Sequence, residues 1–101
     1  MSEWYIGDDM FVKQMRLPYD GAEVAQHSHE YEHVTMLAWG IVDLWCDGKG
    51  PTRHWAPCPI TIPAGTMHRF KASGGPALLF CIHNLHGLDY PEVRAENPLT
   101  R

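Results

Sequence analysis

Residues 21–40 read GAEVAQHSHEYEHVTMLAWG. Three histidines, His27, His29 and His33, fall within seven positions of this stretch, which opens on Gly21 and closes on Gly40. Imidazole is the commonest protein ligand for borderline transition metals, so the cluster marks candidate metal ligands. The second half changes character. Val34 to Trp39 is apolar with β-branched members, and Gly40 stops it, which predicts a strand. A fourth histidine, His68, follows a Pro-x-Gly turn in PAGTMH, residues 63–68.

Outward from that stretch the same pattern repeats. Strands are predicted over Met10–Leu17, Ala22–His27, Ile41–Cys46, Thr52–Ala56, Ile60–Ile62, Met67–Ala72 and Ala77–Leu85. Turn signals separate them: Pro18-Tyr19-Asp20-Gly21, Asp47 to Pro51, Pro63-Ala64-Gly65 and Ser73 to Pro76. Pro57-Cys58-Pro59 blocks any helix and suits an edge or a corner. No segment longer than about 10 residues carries a clean helical period. Short strands with a turn every 8 to 12 residues predict an all-β barrel or sandwich. With 101 residues the chain makes a single domain, 1–101, with a thin core. Residues 88–101, broken by Pro91 and Pro98, are expected to form a surface tail.

The histidine spacing constrains this barrel. His27 and His29 are two apart, so on a strand they share a face about 6.6 Å apart. One ion can bridge that gap with bonds of ~2.1 Å. A straight strand would carry His33 about 13 Å beyond His29, too far to share the ion. The chain must therefore bend between Ser28 and Glu32, and His68 must arrive from another strand.

These motifs resemble the cupin superfamily. Its first motif is Gly, five residues, His-x-His, three or four residues, Glu, six residues, Gly. Here Gly21, His27-Ser28-His29, His33 and Gly40 occupy those places over about 21–40, with His33 standing where the acidic residue is usual. The second motif, about 57–72, is matched by Pro63-Ala64-Gly65 and His68, while Pro57 and Ala72 replace its first Gly and last Asn. The resemblance implies a small double-stranded β-helix, or jelly-roll barrel, with His27, His29, His33 and His68 as ligands of one divalent transition metal ion: Fe, Mn, Ni, Zn or Cu. It is similar to the four-histidine subset of cupins, some tied to oxygen chemistry. Four neutral imidazoles leave the ion its full positive charge, which favours anionic ligands. Occupancy is expected to fall below about pH 6, since the ligands must be unprotonated. Dioxygenase-type chemistry on a small organic anion is the first expectation for activity, and isomerisation the second. A non-catalytic sensor module for a small molecule or metal is the alternative from another class. Cupins commonly pair, and Trp4, Tyr5, Ile6, Met10 and Phe11 would gain core by pairing, so a homodimer is expected.

A competing motif lies inside the same stretch. His29-Glu30-Tyr31-Glu32-His33 matches His-Glu-x-x-His, the zinc metalloprotease signature, with Glu30 as general base. It requires a helix, which Val34–Trp39 and the bounding glycines oppose, and it leaves PAGTMH without a role.

The remaining candidates are fewer. His83 shares strand parity with Cys81 and Leu79, so His83 and Cys81 are candidates to line the lumen, and His83 and Glu30 are candidate catalytic groups. Phe70, two residues beyond His68, is the best pocket candidate; Trp39, Trp45, Trp55 and Tyr31 could line the same pocket or serve as core or interface. His54 and His86 read as exposed, and Arg69 and Lys71 as solvent-facing. Three cysteines at wide spacing, with no Cys-x-x-Cys, read as free thiols, and no nucleophilic Cys with a base is visible. A net charge of -4 without a Lys/Arg cluster argues against nucleic acid. The absence of an apolar run of about 20 residues argues against a membrane span. With no signal-like N-terminus, a cytoplasmic location is the expectation.

Overall fold

A computed structural model describes residues 2–27 and 33–84. These residues form nine strands and no helix: β1 (Ser2–Gly7), β2 (Met10–Leu17), β3 (Glu23–His27), β4 (His33–Trp39), β5 (Ile41–Cys46), β6 (Lys49–Trp55), β7 (Cys58–Ile62), β8 (His68–Ala72) and β9 (Ala77–Asn84). All pairs are antiparallel. One sheet has the order β1-β2-β9-β4-β7 and the other β3-β8-β5-β6. From β2 onward the chain fills the two sheets alternately, with β5 and β6 as a hairpin, which is the double Greek key of a jelly roll.

The expected strands are all present, with ends moved by a few residues. Pro59 lies on β7, the edge of its sheet, where a missing N–H is tolerated. One strand was not foreseen. β1 pairs with β2 through a two-residue turn at Asp8 and Asp9, both at positive φ (51° and 60°), the geometry of a type I′ turn. That turn usually advertises itself through glycine or asparagine, and here it does not. The apolar N-terminal segment thus pairs along an edge of its own sheet.

Alternation along the strands builds the core. Phe11, Met15 and Leu17 of β2 face Leu79 and Ala77 of β9, with Leu37, Val42, Leu44, Ile60, Ile62, Phe70 and Ala72 filling the space between sheets. The outer faces differ. Across the four-stranded sheet the register aligns Arg53, Asp43, Lys71 and Glu23 in alternating sign. Arg53 grips Asp43 with two hydrogen bonds, 2.9 and 3.2 Å. Across the five-stranded sheet, Val12, Ile82 and Val34 form one row, and Phe80, Met36 and Pro59 another.

The four crossovers at one end of the barrel are Leu17 to Glu23, Trp39 to Ile41, Trp55 to Cys58 and Ala72 to Ala77. The other end receives the close of β3, the start of β4, the β7–β8 loop and the close of β9. The chain therefore has a tryptophan end and a histidine end.

Candidate functional site at the histidine end of the barrel

The interior changes polarity along the barrel axis. In β9 the inward residues run Ala77, Leu79, Cys81, His83, from the tryptophan end to the histidine end. In β8 they run Ala72, Phe70, His68. In β5 they run Val42, Leu44, Cys46. Each strand is apolar at one end and carries a ligand-type side chain at the other.

His68 is the best-defined member. It is 1% exposed, and its Nδ1–H donates to the Thr66 carbonyl at 2.9 Å. A carbonyl only accepts, so in the neutral ring the lone pair resides on Nε2. Nε2 is itself buried. This is the tautomer a histidine needs to bind a metal through Nε2, with the outer nitrogen held by a backbone oxygen. Phe70 stands edge-on to the same ring, centroids 6.0 Å apart and planes at 78°.

Local sequence explains how His68 is held. Pro63 to Thr66 forms a turn closed by Thr66 N–H to the Pro63 carbonyl at 3.3 Å, with Gly65 at φ 76°. A side chain at that φ would be strained, hence the glycine of the Pro-x-Gly motif. Asp47, in the β5–β6 turn, clamps the end of the loop from both sides. Its backbone N–H donates to the Met67 carbonyl at 2.7 Å, and its Oδ1 accepts from the Met67 N–H at 3.0 Å.

The register brings two other expected ligands toward this layer. The His27 backbone pairs directly with His68, and His68 pairs on its other side with Cys46. His33 opens β4, opposite Ile62 of β7. Its neighbour Val34 pairs with Ile82, the residue before His83. His83 is 8% exposed and lies opposite Phe11. His29, Glu30 and Tyr31 lie outside the described residues, as do His86 and the 88–101 tail. Among the described residues no group of three His, Cys, Asp or Glu side chains could hold a metal. A His-Glu-x-x-His helix would have to include His33, which is the first residue of a strand.

Comparison with solved structures decides what this barrel is. An RmlC-like cupin with a double-stranded β-helix fold from Methanocaldococcus jannaschii superposes with a TM-score of 0.74 over 83% of this chain and 78% of that one, at 12% identity. A cupin 2 domain-containing protein from Halorhodospira halophila superposes with a TM-score of 0.72 over 95% and 74%, at 16% identity. The chain has the cupin fold. KdgF from a Halomonas species is also similar, at 18% identity and a TM-score of 0.68, over 80% of this chain and 74% of that one. No family model matches the sequence, and no curated protein matches it.

In this cupin fold, the described aromatic candidates divide between core and surface. Phe70 is core, in contact with His68. Trp45 lies on the outer face beneath the Arg69 guanidinium, 4.1 Å from the ring centroid. Trp39 and Trp55 are 67% and 60% exposed, at the far end of the barrel from His68. There they flank an open cleft of about 580 Å³ whose walls include Gly40, Pro57, Ser73 and Gly74. Cys81 is buried, with its Sγ 3.6 Å from Thr35 Oγ1. Lys13, which the sequence did not single out, pairs with Cys81 and is half-buried with the inward parity of Phe11 and Met15.

Proposed function

We propose that the histidine end holds one divalent transition metal ion through His27, His29, His33 and His68, and that a small organic anion is transformed there. Oxygenation of the dioxygenase type is the favoured reaction class, and isomerisation the next. The observation that carries this reading is His68: fully buried, locked by Thr66 into the tautomer with its lone pair on Nε2, and paired in register with His27. When bound, such an ion supplies Lewis acidity toward an anionic oxygen ligand.

The chain's own residues have distinct tasks in this proposal. The Pro63–Thr66 turn and the Asp47 clamp hold the loop, and the Thr66 carbonyl keeps the His68 ring from rotating. Phe70, Leu44 and Leu79 close the barrel beneath the histidine layer and exclude water from that side. His83, buried at the same level, is the group suited to hold or deliver a proton at a ring nitrogen. A homodimer is part of the proposal. The apolar rows outside the five-stranded sheet, with Val34 38% exposed, supply a surface suited to a second copy. Sedimentation at 11.5 kDa, the mass of one chain, would remove that element.

The decisive experiment is elemental analysis of protein purified without added metal, for wild type and His33→Glu. The expected result is close to one ion per chain in wild type. No metal under any condition refutes the proposal. Oxygen uptake with candidate anions then separates an enzyme from a sensor module, which would capture its ligand tightly without turnover.

A further inference from the structure

We propose that Cys58 is a reactive thiol activated by His54, and that it is a modification site for small disulfides, separate from the histidine end. The turn between β6 and β7 brings Cys58 back against His54. Sγ lies 3.8 Å from His54 Nδ1. On the far side of the ring, Nε2 lies 3.1 Å from Thr52 Oγ1. The Thr52 hydroxyl donates to the Leu44 carbonyl at 3.5 Å.

One placement of the protons that these contacts allow makes Cys58 a donor to His54. A hydroxyl has one proton, and Thr52 gives it to a carbonyl that can only accept. The Thr52 oxygen is therefore the acceptor for His54 Nε2–H. A neutral imidazole has one N–H, so Nδ1 turns its lone pair toward the Cys58 thiol. Nucleophile, base and orienting group lie on one chain of donors, which is the arrangement that activates cysteine in unrelated folds. The Pro59 carbonyl, 3.7 Å from Sγ, is a second acceptor for the resting thiol, but it cannot take the proton away.

The other two cysteines lack this arrangement. Cys46 faces the histidine layer, where burial, and then the nearby Asp47 charge, push its thiol up from the ordinary value. Cys81 is buried against Thr35. Cys58 is half-buried on the edge strand β7, packed against the rim of the core, and the residues before it, Trp55, Ala56 and Pro57, form a wall of the cleft.

The step balances as a thiol–disulfide exchange. Cys58 passes its proton to His54 Nδ1, and the thiolate attacks one sulfur of the disulfide. A new S–S bond forms, the old one breaks, and the departing thiolate takes the proton from His54. Cys58 is oxidised to a mixed disulfide while the other half of the reagent is reduced to a thiol.

The test uses the full chain under native conditions with an aromatic disulfide that releases a coloured thiolate, followed by peptide mapping. One equivalent should react first and map to Cys58, at pH 7 about tenfold faster than Cys46 or Cys81. Cys58→Ser should abolish the fast phase, His54→Gln should slow it about tenfold, and Thr52→Val should slow it less. A fast phase that maps elsewhere, or that survives in folded His54→Gln, overturns the proposal. Should His54→Gln fail to fold, His54→Asn and the wild-type peptide map decide: a fast phase that survives in His54→Asn, or that maps to Cys46 or Cys81, overturns it. Metal content plays no part in this readout, so its outcome is independent of the histidine site.

Discussion

The two ends of the barrel are built from the same strands and reach opposite solutions. At the histidine end the inward residues are His68, His83 and Cys46, and the loop that presents His68 is clamped by Asp47. At the tryptophan end the same strands finish in Ala72, Ala77 and Val42, and the large aromatics Trp39 and Trp55 lie outside. Polar, ligand-type atoms are thus placed where the surrounding loops shield them. The other end is closed by small residues and by backbone. Gly40 shows how tight that closure is: a Cβ there would run into the Pro76 carbonyl oxygen, and its φ is 87°. Gly65, in the loop that presents His68, has a similar φ of 76° but open space around it. Of these two turns, the one at Gly40 is packed to its limit by backbone, and the one at Gly65 keeps room around it.

The contrast can be broken most directly by removing a ligand. In protein purified without added metal, His68→Ala should lose all bound metal, whereas Trp39→Ser should keep the wild-type stoichiometry. Retention of the ion by His68→Ala would end the distinction between the two ends. Next in size is the packing difference. Gly40→Ala should cost about 3 kcal/mol, from the left-handed backbone and the collision with Pro76 together. Gly65→Ala, with strain alone, should cost about 1 kcal/mol. Urea melts of both variants measure this directly, and equal losses would show that the two turns are equally confined.

A smaller effect belongs to the outer charge row. The hydrogen bond from Arg53 holds the Asp43 carboxyl below its ordinary 3.8, outweighing partial burial. A folded-state value below the unfolded one means that the pair stabilises fully above the unfolded value. That contribution is lost as pH falls through the folded value. Wild type should therefore lose its advantage over Asp43→Asn as pH drops through and below the ordinary carboxylate value in denaturant melts. The smallest effect is expected at the exposed tryptophans. Trp39→Ser and Trp55→Ser should each change stability by no more than about 0.5 kcal/mol in the same melts. A larger loss would mean that these rings are covered in solution.

Much of this was legible from residue order. Eight of the nine strands were readable because their apolar alternation is bounded by Gly and Pro turns, and Pro59 correctly pointed to an edge. β1 was missed because its turn, Asp8-Asp9, lacks the glycine that normally reveals a type I′ hairpin. The exposed position of Trp39 and Trp55 was not readable either. Alternation tells which residues share a face, not at which end of the barrel a strand's last residue sits.

The same limit governs chemistry. Residue order alone showed the Pro-x-Gly turn that precedes His68, because a turn is a local event encoded by Pro63 and Gly65. Only the folded chain determined that Thr66 sets the His68 tautomer, that Asp47 pins the loop, and that Cys58 meets His54 and Thr52. Those contacts join different strands or opposite sides of a turn, and their geometry depends on how two sheets are stacked. Sequence determines the period and the punctuation of this protein. The direction of a lone pair, and the pairing of a thiol with a base, are decided by packing.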